Sequence, residues 1–385
     1  MQALTLHAEW APRPEYRPDE RELETRNVRN AHMVWRNPRI ALGQVPEPAL
    51  ETDQVRVQVA AVGICGSDMH MYEADCDGYM IYPGYATAPN VLGHEFAGRV
   101  VETGEDVRDL RVGDLVAVEE IQWCGECISC RKGFVNHCEY MGELGFTIPG
   151  AMAEFIAVRE RYCWKLDELA DALGSEEEAL VMGAMVEPTG VSYQGLFNRS
   201  GTWLPGHHVV IFGAGPIGLA AEALAIAAGA CQVIVVDPSG SRRAIAMRMG
   251  ASQVLDPADV DLNASLLELT RGRGIDYVVE CAGYADRTLQ PLESCLAVNA
   301  TIIDIGMGGE RPLLPIVTYK QRGVQLAGSL GHAGKGVFQN VIRLMTAGRI
   351  DMRVMVSERL PLDDAVAAFR RLESREDAKI ILLPG

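Results

Sequence analysis

Four cysteines fall within sixteen residues in the run WCGECISCRKGFVNHC (123–138), at Cys124, Cys127, Cys130 and Cys138. Four thiolates close a tetrahedral zinc with no position left for water, so a metal held here is expected to order a lobe spanning 120–140 rather than to react. A second set of polar residues is open in character. Cys65, Ser67 and His70 lie in GICGSDMH (63–70), His94 and Glu95 in GHEFAG (93–98), and Glu187 stands before Pro188. Cysteine, histidine and a carboxylate are the ligand set of a catalytic zinc, in which water or a substrate oxygen takes the fourth place. Singly, each residue also reads as a small core thiol or a hydrogen-bonded imidazole, so spacing alone leaves this metal undecided.

A third constellation is Gly213-Ala214-Gly215-Pro216-Ile217-Gly218, with Asp237 nineteen residues beyond the last glycine. Between a strand and a helix, such glycines serve a tight turn, the approach of a pyrophosphate and close helix–strand packing. A carboxylate at Asp237 accepts from the adenosine ribose hydroxyls and repels a 2′-phosphate, which favours NAD over NADP. Arg242 lies close enough in sequence to weigh the other way; its plainer roles are stacking on adenine or facing water.

The elements around these residues divide the chain. Residues 55–63 and 97–118 are short β-rich runs broken by Gly and Asp, as in a compact β-barrel-like domain. From His207 the pattern alternates buried strand and helix through HHVVIFGAGPIGLAAEALAIAAGA, CQVIVVD, IDYVVECAG and ATIIDIGM, which predicts a doubly wound α/β domain. The predicted division is 1–189 for a zinc-binding catalytic domain, 190–330 for the dinucleotide-binding domain and 331–385 for a return to the first, ending in the strand KIILLP. Residues 11–33 are charged and poorly periodic, and read as an insertion between a first strand and its partner, a solvated surface excursion.

Together these motifs carry a resemblance. The stretch Gly93-His94-Glu95-x2-Gly98-x5-Gly104 and the GAGPIG loop with Asp237 are similar to the zinc-dependent medium-chain alcohol and polyol dehydrogenases over nearly the whole chain. The resemblance implies a discontinuous GroES-like catalytic domain and a Rossmann domain, with the active site in the cleft between them. It implies two zinc ions: one catalytic, on Cys65 and His94 with Glu95 and Glu187 binding the metal or holding its water, and one structural, on the four clustered cysteines. By the same resemblance Ser67 accepts the substrate proton, His70 is the outer member of the relay, and Glu187-Pro188 points to polyhydroxylated substrates. The 11–33 insertion, DGYMIYPG (77–84) and GFVNHCEYMGELGF are similar to the scyllo-inosose dehydrogenases, which implies a cyclitol. Glu119, Glu120, Trp123 and Tyr72 are candidates for contacting its hydroxyls. A biosynthetic ketone or imine reductase would keep the same residues, and a non-catalytic zinc-stabilised nucleotide-binding protein would explain the cysteine lobe alone.

Composition sets the remaining expectations. With 385 residues there is room for two domains, and a net charge of −17 disfavours nucleic acid and anionic membrane surfaces. No secretory leader or long apolar run stands out, which gives the expectation of a soluble cytoplasmic protein. The family resemblance adds a homodimer or homotetramer.

Overall fold

The computed structural model describes residues 1–309, 311–332 and 334–385. The chain forms two compact units: Met1–Glu187 with Glu358–Ser374 and Lys379–Gly385, and Pro188–Ser357 with Arg375–Ala378.

The first unit is built on antiparallel strands. Gln54–Gly63 is central, flanked by Glu95–Thr103 and by the last strand, Lys379–Leu383. Leu115–Val118 continues the sheet, and Phe155–Arg159 also pairs with the central strand. The alternation QVRVQVAAV puts Val55, Val57 and Val59 inward, where they join a core with Leu4, Phe96, Val116 and Phe369. Gly63 lies opposite Glu95 and Ile381 opposite Gly63, so strands distant in sequence deliver their ends to one place.

The first strand, Gln2–Trp10, pairs with Trp35–Gln44, so residues 11–33 do lie between a strand and its partner. Their charged face is mostly solvated, yet the segment is also anchored to the core. Asp19 and Glu22 form a capping box on the helix Glu20–Thr25. The buried Glu22 accepts from the Tyr16 hydroxyl (2.7 Å) and the Arg29 backbone (3.0 Å), and Val28, Ala31 and Val34 enter the core. Most of the segment's charges, among them Glu15, Arg17, Glu20, Arg21 and Glu24, are exposed as expected; Glu22 is buried, and Arg13 pairs with Asp75.

The second unit carries six parallel strands in the spatial order 253–255, 232–236, 208–212, 275–280, 296–304, 325–328, with helices between them. This is a doubly wound sheet whose order reverses beside the first strand, His208–Phe212, where such folds take a nucleotide. The helix Val337–Thr346 belongs to this unit, although the sequence reading returned the chain to the first unit from residue 331. Its apolar face buries Val337, Phe338, Val341, Ile342 and Met345, a helical period that does not itself say which core it covers. Among the described residues no helix is long and apolar enough to cross a membrane.

Candidate zinc and nucleotide sites

Cys65 ends the loop after the central strand and is the N-cap of the helix Gly66–Tyr72; its backbone N–H donates to Asp68 Oδ2 at 2.9 Å. Asp68 also places Oδ1 3.7 Å from His94 Nδ1, so one buried carboxylate bonds the Cys65 backbone and faces the His94 ring at ion-pair distance. His94 and Glu95 enter the next strand, and the ligand atoms of Cys65, His94 and Glu95 all lie within 4.8 Å of one another. Ser67 Oγ stands 3.4 Å from His94 Nε2, and His70 follows one turn later on the same helix.

The Glu95 carboxylate is shared. Its Oε2 pairs with the fully buried Lys379, whose ammonium also donates to the Ile64 carbonyl at 3.0 Å, while Oε1 has no hydrogen bond. Glu187 closes the first unit at the head of the helix Val186–Tyr193 and is buried. Burial raises its carboxyl well above the usual range; Glu120 adds to the rise and His94 opposes it. Burial disfavours a charged His94, yet Asp68, Cys65 and Glu187 outweigh it and hold the imidazole pKa well above its ordinary value. Sulfur, nitrogen and oxygen ligands thus converge where buried negative charge is in excess, a donor set and a field that fit a divalent cation.

The cysteine lobe fits a second one. The sulfur separations Cys124–Cys130, Cys127–Cys138 and Cys124–Cys138 are 4.0, 3.9 and 3.5 Å, and none forms a disulfide. A tetrahedron of thiolates around zinc has sulfur–sulfur edges of about 3.8 Å. Backbone N–H groups of Cys124, Glu126, Cys127 and Tyr140 donate to these sulfurs at 3.3–3.4 Å, as thiolates require.

In the second unit the glycine loop forms a tight turn between the strand His208–Phe212 and the helix Pro216–Ala227. Gly213 sits at φ 92°, and a Cβ on Gly218 would fall 1.7 Å from the Gly213 carbonyl oxygen. A Cβ on Gly215 would meet only the Arg242 guanidinium, at 3.9 Å, leaving an open face at the N-terminus of the helix Pro216–Ala227 for a phosphate. Pro216 opens that helix, and the Ile217 carbonyl is anchored by the Ser192 hydroxyl at 2.7 Å. Asp237 accepts from the backbone N–H groups of Ala214 and Ser239, both at 2.7 Å, and is thereby fixed beside the loop. Arg242 does not simply face water: it donates to the Asp377 carbonyl at 2.9 Å.

Of the side residues, Glu119 accepts from the Trp164 indole at 2.8 Å, Trp123 packs edge-on against Tyr162 beneath Arg161, and Tyr72 packs edge-on against Phe369. These contacts engage all three in packing, while the buried Trp123 indole N–H makes no hydrogen bond among the described residues. Sequence reasoning missed Asp68 and Lys379. Asp68 could have been found as the acid in Cys-Gly-Ser-Asp; Lys379 carries no local signal.

Residues 51–168 match the alcohol dehydrogenase GroES-like domain family and residues 216–347 the zinc-binding dehydrogenase family. The chain is 38% identical to scyllo-inosose 3-dehydrogenase of Thermotoga maritima, over 97% of both chains. A T. maritima structure described provisionally as an alcohol dehydrogenase superposes with a TM-score of 0.95 at 36% identity, covering all of both chains. A Sinorhizobium meliloti structure, described provisionally as a zinc-binding dehydrogenase and bound to NADP, gives 0.77 at 27% identity over 93% of this chain and 99% of its own. A non-catalytic zinc-stabilised nucleotide-binding protein is not favoured, because the chain belongs to the zinc-dependent alcohol and polyol dehydrogenases, with a GroES-like and a Rossmann domain.

Proposed function

We propose that this protein is an NAD-dependent dehydrogenase that oxidises a secondary alcohol of a cyclitol or related polyol of the inosose type, using one catalytic and one structural zinc. The convergence of Cys65, His94 and Glu95 beneath Asp68, on a chain similar in full length to an inosose dehydrogenase, carries this reading.

Cys65 and His94 would hold the catalytic metal with a carboxylate from Glu95 or Glu187, and zinc in such a site supplies Lewis acidity that lowers the pKa of an alcohol. Ser67 Oγ, 3.4 Å from His94 Nε2, would take the hydroxyl proton, and His70, one turn on in the same helix, would pass it onward to solvent. Asp68 faces the His94 ring as a second carboxylate behind the ligand, and Lys379 holds one oxygen of Glu95 while the other makes no hydrogen bond among the described residues. NAD would accept the hydride. Its pyrophosphate suits the open face at Gly215, and Asp237, fixed by two backbone donors, suits a free ribose diol. One relative binds NADP; the carboxylate at Asp237 argues against a 2′-phosphate here. Cys124, Cys127, Cys130 and Cys138 would hold the structural zinc. We assign the active form as a homodimer or homotetramer built on the exposed edge strand Gln325–Gly328.

The test is cofactor reduction with myo-inositol, scyllo-inosose and sorbitol in parallel, with NAD and with NADP. The zinc-loaded enzyme should turn over at least one cyclitol with NAD, and Cys65→Ser should lose at least 100-fold in rate while still binding NADH. Undiminished activity in a metal-verified Cys65→Ser sample would refute the site.

A further inference from the structure

Past Asp237 the chain reads Ser239-Gly240-Ser241-Arg242-Arg243. Two hydroxyls and two guanidinium groups at the head of a ten-residue helix, Gly240–Met249, are the donor types that hold a phosphate, so this stretch opposes the neighbouring carboxylate. In the fold these donors are already engaged. Arg243 donates to the Asp237 carbonyl and to Asp256 Oδ2, both at 2.7 Å. Arg242 turns Nη1 towards Gly215 and gives Nη2 to the Asp377 carbonyl, while its Nε makes no hydrogen bond among the described residues.

The two serines are taken by a residue from the far end of the chain. Glu376 lies in Arg375–Ala378, which belongs to the second unit although the residues on either side of it belong to the first. Ser241 Oγ donates to Glu376 Oε2 at 2.5 Å and also lies 2.8 Å from the Glu376 carbonyl; Ser239 Oγ donates to the same Oε2 at 3.2 Å. Ser239 gives its backbone N–H to Asp237 Oδ1 at 2.7 Å, so one serine carries two carboxylates, Asp237 on its backbone and Glu376 on its hydroxyl. The Ser241 hydroxyl, and then that of Ser239, holds the Glu376 carboxyl below the ordinary glutamate value, which keeps it charged at neutral pH.

We infer that Glu376 is a second determinant of cofactor choice: its carboxylate occupies the hydroxyl pair that a ribose 2′-phosphate would need, and its charge repels that phosphate alongside Asp237. The inference rests on the reading of Asp237 as the ribose contact. A neutral ribose diol meets no such repulsion and can donate to a carboxylate, so discrimination comes mainly from penalising the wrong cofactor. The donors of a phosphate site remain in place behind Glu376, covered by its charge.

The test is fluorescence titration of NADH and NADPH, with no substrate present, against the zinc-loaded wild type, Glu376→Gln, Asp237→Ser and the double variant. Glu376 is exposed, and glutamine keeps an oxygen that accepts from the serines, so the substitution removes charge and little else. Glu376→Gln should tighten NADPH roughly 10-fold, change NADH by less than about threefold, and lose most of the gain at about 0.5 M salt. The double variant should bind NADPH more tightly than Asp237→Ser alone. Glu376→Gln without effect on NADPH in either background, where Asp237→Ser by itself tightens it, would overturn the role of Glu376 and leave Asp237 as the ribose contact. A wild type that binds NADPH as tightly as NADH would overturn both.

Discussion

Lys379 is a fully buried cation whose function is read from its partner. Burial alone would depress its pKa, but Glu95 outweighs that and holds it above the ordinary lysine value. Removing the ammonium would strand the Glu95 charge in the protein interior, where an uncompensated partner of a buried pair costs ~3–5 kcal/mol. Lys379→Met is therefore expected to lower unfolding stability by that order in urea titrations of metal-matched samples. The double variant Lys379→Met, Glu95→Gln should recover most of the loss, whereas additive losses would show that the pair is not coupled. The contrast with Cys65 and His94 marks what the sequence makes legible at this scale. Those two are candidates by residue type within short glycine-bounded motifs, although spacing alone leaves their metal undecided, and the four clustered cysteines are plainer. Lys379 is an ordinary residue locally, and it meets Glu95 only because sheet register brings the last strand beside the central one from far along the chain.

At the scale of elements, the helix Pro216–Ala227 shows how a regular pattern conceals an exception. Its alanine-rich sequence reads as a buried helix, which it is, but it also buries Glu222 completely. Burial pushes the Glu222 carboxyl up from 4.5 to about 8. Between those values the folded chain keeps a proton that the unfolded chain releases, so this group costs stability progressively as pH rises from about 4.5 to about 8. Glu222→Gln, which cannot ionise, should melt close to wild type at pH 5 and be more stable by ~2–4 kcal/mol at pH 8.5. A pH-independent gap between the two melting curves would show that the carboxyl ionises normally in the fold. The Rossmann strands and helices around it were legible because buried parallel strands read as continuous apolar runs. Residues 11–33 were legible only in part: most of their charges are solvated as expected, but the capping box and the buried Glu22 look in sequence like the rest of that charge.

For the whole molecule, the sheet of the second unit ends on Gln325–Gly328, which pairs only with Leu296–Asp304 among the described residues. An open edge strand presents unpaired backbone groups, and here Leu326 is exposed upon it. The neighbouring strand carries the exposed Val298, and the segment leading to the edge carries the exposed Leu313, Ile316 and Val317. Apolar side chains gathered around an unprotected edge fit burial against a second copy, related by a twofold axis so that like strands meet. Leu326→Lys places a charge where the two edges would approach, a device that blocks such pairing without touching the core. Light scattering should find the wild-type chain as a dimer or tetramer of its 41.9 kDa subunit, and Leu326→Lys shifted towards smaller species with unchanged circular dichroism. A wild type that is monomeric at micromolar concentration would exclude the edge as an interface and require another explanation for its exposed apolar side chains.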